Sequence, residues 1–271
     1  MSKSVRELMR PGVITCSSSM PLGQVARMLD ENHIHALFVT DGGGELVGVI
    51  TDFDLLAGEW LSADPESLAV MRAMTAGELM SAPITTIDAD APASEAARRM
   101  RAEAIRRLLV LDNGKPVGVI SVTNLLEDLG SQAIKARETV GDVMSDAILV
   151  CRDKTPVTAA ARAMADTGWR SVLVVNAMGK PLGVFSGLDL LDYCQNEDCP
   201  DEITVSQVMH PALTIHMSAS LQEAANKMIQ NHHHRLVVVD PDQPDAVPLG
   251  VISSFDIVAE MARPGSIWQE R

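Results

Sequence analysis

Aromatic side chains are scarce: the 271 residues hold four Phe, three Trp and one Tyr. Any core must therefore be built from the abundant aliphatic residues, packed in thin layers, which suits small repeated units. Basic residues are also few. The formal charge of −14 excludes general attraction to a DNA backbone, because phosphate binding needs clustered Lys and Arg that release counterions. Nucleic acid is not expected as a main partner, and an anionic ligand would have to find a locally positive pocket. Cys16, Cys151, Cys194 and Cys199 form no CxxC pair, a pattern that fits a reduced cytoplasm. The first residues lack the apolar stretch of a signal peptide, and no run of ~18 apolar residues could cross a bilayer. The expectation is a cytoplasmic protein with no membrane partner. There is also no Gly-x-Ser-x-Gly elbow, no His-Glu-x-x-His and no Walker loop, so no catalytic residue is assigned and no enzyme is expected.

What is present is repetition. Gly48-Val49-Ile50-Thr51 recurs as Gly118-Val119-Ile120-Ser121, Gly183-Val184-Phe185-Ser186 and Gly250-Val251-Ile252-Ser253. Upstream of each lies a second landmark, Glu7-Leu8-Met9, Glu78-Leu79-Met80, Asp142-Val143-Met144 and Gln207-Val208-Met209. Such periodicity marks a repeat architecture. Between the landmarks, apolar residues at i, i+3, i+4 and i+7 predict an amphipathic helix in each repeat: Leu22, Val25, Ala26 and Leu29; Ala93, Ala96, Ala97 and Met100; Val157, Ala160, Ala161 and Met164; Leu221, Ala224, Ala225 and Met228. In repeat three, Thr155-Pro156 reads as an N-cap followed by Pro at the first helical position. Two β-rich runs joined by a turn follow each helix, so every repeat reads strand, helix, strand, strand, helix, an α/β (α+β) unit of βαββα order.

A unit of this size is marginal alone, so repeats should pair face to face. The repeats span about 4–62, 75–130, 138–195 and 203–261, giving two sequential pairs, 1–130 and 131–271. Polar connectors lie at 126–138 and 192–203, and a longer one at 57–74 is helical over 66–74.

Each Gly-apolar-apolar-Thr/Ser strand runs into a helix, and an acidic or amide residue stands three positions after the hydroxyl: Thr51 with Asp54, Ser121 with Asn124, Ser186 with Asp189, Ser253 with Asp256. A helix N-terminus favours phosphate, a hydroxyl can donate to it, and a carboxylate one turn on suits the two hydroxyls of a ribose. The same spacing is also a capping box, which needs no ligand. The recurrent glycine favours the ligand reading, since a missing side chain lets another molecule approach the backbone.

These units resemble cystathionine-β-synthase (CBS) domains over roughly residues 4 to 261, and their tandem pairs resemble Bateman modules with pseudo-twofold symmetry. The segment Gly48-Val49-Ile50-Thr51-Asp52-Phe53-Asp54-Leu55 is similar to the nucleotide motif of that family. The resemblance implies binding of AMP, ADP, ATP or S-adenosylmethionine, with the motif hydroxyl on phosphate and the motif Asp on ribose. It places adenine against the first short strand, at Ile14, Thr15, Thr86, Val150 and Ile215, and phosphate near Arg107, Arg170, His234 and Arg235. A homodimer and a regulated partner protein of unknown identity are implied as well.

Repeat two departs from the pattern at Asn124, which lacks a charge-assisted bond to ribose. Repeat one has Ala36 where repeats two and four have Arg107 and Arg235, leaving His33 and His35 as its nearest cations, whereas repeats three and four match best. His232-His233-His234 lacks a ligand partner at metal spacing and reads as a basic turn. The cluster Arg98, Arg99, Arg101, Arg106 and Arg107 reads as an anion site or a solvated helix face, the solvated face being preferred for the first three. The expectation is an adenine-nucleotide sensor. A scaffold that binds no ligand, or a small-molecule enzyme, are the rival readings.

Overall fold

The computed structural model describes residues 3–32, 34–57, 70, 73–131, 138–187, 189, 203–240, 242 and 247–263. His33, Cys194, Cys199, most of the helix expected over 66–74 and nearly all of the 192–203 connector lie outside them. Among the described residues, no helix is long and apolar enough to cross a membrane.

The four repeats follow the expected order. Repeat two is complete: strand Thr86–Asp88, helix Ala93–Ala102, strands Arg107–Asp112 and Lys115–Ser121, helix Val122–Ser131. The first strand lies parallel to the second, and the third closes antiparallel to the second. Repeats one, three and four have the same pairing. All four predicted helix faces are buried, because burying one apolar stripe against a sheet is what stabilises a ten-residue helix.

Helix entry differs from the sequence expectation. Pro156, like Pro21 and Pro92, is itself the N-cap residue of its helix, and none of the three helices has a side-chain cap bond. Thr155 instead uses its hydroxyl to close the preceding turn, accepting from the Arg152 amide at 3.1 Å. The first helical amides are satisfied from further along or back in the chain: Leu22 by the Met74 carbonyl, Ala93 by Lys3 and Val157 by Ile203.

Those acceptors belong to, or border, the segments that carry the methionine landmark. Each landmark is a single turn of helix, Val5–Leu8, Ala76–Leu79, Val140–Val143 and the 3-10 turn Val205–Gln207, closed by a capping box from Ser4 to Glu7, Thr75 to Glu78, Thr139 to Asp142 and Thr204 to Gln207. Val5, Ala76, Val140 and Val205 anchor the turns in the core. The chain then runs along a sheet edge, and it is the edge of a different repeat from the one it introduces. Arg10–Pro11 pairs with the motif strand of repeat two, Ser81 with Val49 of repeat one, Ser145 with Val251 of repeat four, and His210–Pro211 with the motif strand of repeat three.

This exchange explains the recurrent glycine and corrects its ligand reading. A Cβ on Gly48 would lie 2.8 Å from Met80 Cγ and 3.1 Å from the Ser81 carbonyl, and one on Gly183 would lie 2.6 Å from the His210 carbonyl. Gly118 faces Met9 and Arg10, and Gly250 faces Met144 and Ser145, in the same way. The side chain is missing so that a second stretch of this chain can close on the strand. The two landmarks found in the sequence are thus two halves of one contact.

By compactness the chain divides into two units that cut across its linear order. One comprises 1–13, 85–147 and 213–271, and the other 14–84 and 148–212. The first gathers repeats two and four around a core that includes Met100, Leu125, Met228 and Ile257. The second gathers repeats one and three around Leu22, Leu55, Met164 and Phe185.

The landmark caps carry a pH dependence. Amide and hydroxyl donors of the N-cap residue hold the Glu7, Glu78 and Asp142 carboxyls below their ordinary range. A group whose folded value is depressed contributes stability above its unfolded value, and that contribution is lost as the pH falls through the folded value. Gln207 fills the same role without titrating. The triple replacement Glu7→Gln, Glu78→Gln, Asp142→Asn is therefore expected to flatten the acid limb of a melting-temperature profile taken from about pH 6 to about pH 3, chiefly by lowering its neutral end, because the amides keep the cap bonds without the charge.

Candidate functional site

In each repeat the motif strand ends on the hydroxyl residue and the chain turns into a helix, so the residue three positions on comes back beneath it. The Thr51 amide and hydroxyl both donate to Asp54 Oδ2 at 2.7 Å. Ser186 donates to Asp189 Oδ2 at 2.6 and 2.8 Å, and Ser253 to Asp256 Oδ2 at 2.7 Å for both bonds. Ser121 makes the same pair of bonds to Asn124 Oδ1, at 3.0 and 2.8 Å. In all four motifs the residue three positions on accepts both bonds, as the third helical residue of a capping box does.

The second oxygen separates the acidic motifs. Oδ1 of Asp54 and Oδ1 of Asp256 accept no hydrogen bond from the described residues, whereas Asp189 Oδ1 lies 2.7 Å from His210 Nε2. Burial pushes the Asp54 carboxyl up from its ordinary range, against the opposing pull of the Thr51 bonds and the nearby Arg170 charge. The carboxylates of the landmark caps move the opposite way, because the same amide and hydroxyl bonds act there with little burial to oppose them.

Strand register sorts the basic residues into two rows. Directly opposite the motif hydroxyls stand Ala36, Arg107, Ser171 and Arg235. One residue earlier stand His35, Arg106, Arg170 and His234. Arg170 thus corresponds to Arg106 rather than to Arg107. Both of these arginines cross to the other repeat of their compact unit: the Arg170 guanidinium lies 4.4 Å over the Phe53 ring, and that of Arg106 lies 5.4 Å over Phe255, distances at which a cation is attracted to the ring face. In repeat three, the αL residue Gly168 (φ 73°) ends the helix Val157–Thr167 and leads the chain to Arg170. Phe53 and Phe255 are the third motif residues of repeats one and four, where repeats two and three have Thr123 and Leu188. Among the described residues the arginine beside the repeat-one motif is therefore Arg170, while His35 pairs with Asp52 at 3.0 Å.

The first strand of each repeat lies at a sheet edge, parallel to the second. Thr15, Thr86, Val150 and Thr214 share one register position against the second strand. Ile14 and Val150 are exposed, whereas Ile215 is buried in the core, one register position from Thr214. Of the arginine cluster, Arg98 and Arg99 pair with Glu95 on their own helix face. Among the described residues no group of three His, Cys, Asp or Glu side chains could hold a metal ion. Sequence reasoning named Arg106 within the arginine cluster but gave it no partner, and it missed a role for the two motif phenylalanines and His210. The signal for the arginines was that Phe occurs in repeats one and four while Arg precedes the second strand in repeats two and three.

Comparison with known proteins supplies the family. The fold is similar to that of protein MJ1225 from Methanocaldococcus jannaschii, an archaeal protein likened to γ-AMPK, at a TM-score of 0.81 and 18% identity over 94% of this chain and 99% of the other. Among curated sequences, the uncharacterised protein MJ1404 of the same organism is 29% identical over 69% of this chain, and MK0525 of Methanopyrus kandleri is 30% identical over 46% of it. The matches span 43% and 62% of those two relatives' own lengths. The CBS-domain family model matches residues 5–59, 76–131, 140–196 and 205–263, well over half of the sequence, and the chain therefore belongs to the CBS-domain family, with four copies of the domain.

Proposed function

We propose that the chain is a regulatory protein that binds an adenine nucleotide, AMP, ADP or ATP, and transmits occupancy to a partner protein rather than transforming the ligand. The observation that carries this reading is the state of Asp54. A helix cap gains from an ionised carboxylate in solvent, as Glu7 and Glu78 show. Asp54 is instead held where burial disfavours its charge, with one oxygen spent on the cap, the other open, and an arginine alongside. A ribose diol would donate to the open oxygen, and Arg170 would meet the phosphates. Perturbed ionisable groups of this kind gather at functional sites, and family membership supports the same ligand class.

A nucleotide held between Asp54 of repeat one and Arg170 of repeat three would tie those two repeats together. The effect on a partner is then bounded by the difference in nucleotide affinity between the partner-binding states. Functional pairing of repeat one with two and of three with four, and assembly as a homodimer, belong to the proposal. The exchange of leading segments within each sequential pair supports the pairing.

Arg170→Ala is expected to weaken ADP and ATP on the order of tenfold to a hundredfold, the worth of one or two charge-assisted bonds, and to change adenosine binding little. Calorimetric titration of the three ligands checks it. The cap bonds shared by all four motifs favour the rival scaffold reading, and equal indifference of the natural chain to every nucleotide would select it.

A further inference from the structure

We infer that His210 decides which acidic motif can take a nucleotide, by occupying the carboxylate oxygen of repeat three that a ribose would need. This rests on the nucleotide reading above. The residue that follows each landmark methionine is carried to the same place, opposite the middle residue of a motif strand: Arg10 opposite Val119, Ser81 opposite Val49, Ser145 opposite Val251 and His210 opposite Val184. At the two motifs whose acidic residue keeps an open oxygen, Asp54 and Asp256, this residue is serine. At repeat three it is a histidine whose Nε2 reaches Asp189 Oδ1 at 2.7 Å, donating either as the neutral Nε2–H tautomer or as imidazolium.

Asp189 has nothing left to offer. Its Oδ2 takes the amide and hydroxyl of Ser186, its Oδ1 takes His210, and its side chain is 2% exposed. The His210 side chain is 60% exposed, so the contact joins a buried carboxylate oxygen to a side chain that reaches solvent. Displacing it would leave a buried carboxylate oxygen to be satisfied by the ligand alone, and the ligand must first break a hydrogen bond that the free protein already has. Repeat two is set aside by Asn124. Among the described residues, each compact unit thus keeps one acidic motif whose Oδ1 accepts no bond, Asp54 in one and Asp256 in the other, each with its arginine stacked on the motif phenylalanine.

The test is calorimetric stoichiometry with AMP and ATP on the full chain, comparing the natural sequence, His210→Ser and His210→Ser with Asp189→Asn. Serine is what the chain already uses at positions 81 and 145, so the variant keeps the local backbone, and its melting temperature verifies that. The expected result is two sites per chain in the natural protein, three in His210→Ser, and two again in the double variant. Two sites in both the natural chain and His210→Ser, or three in both, would overturn the role of His210 while leaving nucleotide binding intact. No binding by any of the three proteins would overturn the nucleotide reading and this inference together.

Discussion

Asp54→Asn is expected to remove the repeat-one share of nucleotide-induced stabilisation without lowering the melting temperature of the ligand-free protein. The two halves of this expectation have different causes. Asn124 shows that an amide oxygen accepts the same amide and hydroxyl bonds from its motif serine, at 3.0 and 2.8 Å, so the cap survives the change. Burial raises the Asp54 carboxyl above its ordinary value. A group with a raised folded value favours folding while it is protonated, and that contribution is lost as the pH rises through the folded value. At neutral pH the charge is therefore a cost, and the neutral amide relieves it, so ligand-free stability should hold or rise. Ligand binding loses the charge-assisted bond to ribose. At a ligand concentration near 100 Kd, one site contributes about 2.7 kcal/mol, roughly 5 to 10 °C for a chain of this size. A thermal melt with and without nucleotide, on the natural chain and the variant, reads both halves. A variant that melts well below the natural chain without ligand would mean that Asp54 is kept for the cap.

The second large effect concerns the contact between the two landmarks. Gly250→Ala places its Cβ against the backbone carbonyl of Ser145, which cannot move without breaking the pairing of Ser145 with Val251. Gly48→Ala instead meets chiefly the Met80 side chain, with the Ser81 carbonyl at 3.1 Å. Each substitution is expected to cost about 1–3 kcal/mol by overpacking. The second site then separates them. Met80→Ala makes room for the alanine at 48, so the double variant should recover much of the loss, whereas Met144→Ala cannot move the Ser145 carbonyl and should leave Gly250→Ala unrescued. Chemical denaturation of the single and double variants gives the two coupling energies. Failure of Met80→Ala to recover any of the Gly48→Ala loss would contradict the exchange of leading segments as the reason for the glycines.

Much of the fold was legible because it rests on local patterns repeated four times. The apolar spacing of Leu22, Val25, Ala26 and Leu29 and its three counterparts identifies a helix whatever it packs against, and the Gly-apolar-apolar-hydroxyl strands announce themselves by recurrence. The destination of a segment was not legible. Nothing local to Glu7-Leu8-Met9 says that it docks on repeat two rather than on the repeat it precedes, so the glycine it closes upon was read as room for a ligand. Thr155-Pro156 misled in a similar way, because the donor that a cap would satisfy is met by Ile203, far along the chain.

The candidate site divides along the same line. The pairs Thr51 with Asp54 and Ser253 with Asp256 follow from spacing alone, since a strand that turns into a helix brings these residues together. Arg106 and Arg170 act across repeats, and their correspondence appears only once strand register shows that Arg170 aligns with Arg106 and not with Arg107. His210 lies far from anything it resembles in sequence, and its meeting with Asp189 depends wholly on the exchanged segment. Ile215 shows the cost of a one-residue slip, since neighbouring strand positions face opposite sides.

The most direct test of the central claim is a thermal-shift titration of the natural chain with AMP, ADP, ATP and S-adenosylmethionine, each carried to millimolar concentration. A chain built to hold an adenine nucleotide should melt higher as at least one of AMP, ADP and ATP is added, with the rise growing logarithmically with concentration beyond Kd. A melting temperature that stays flat for all four ligands would contradict the account and leave the four motifs as helix caps alone.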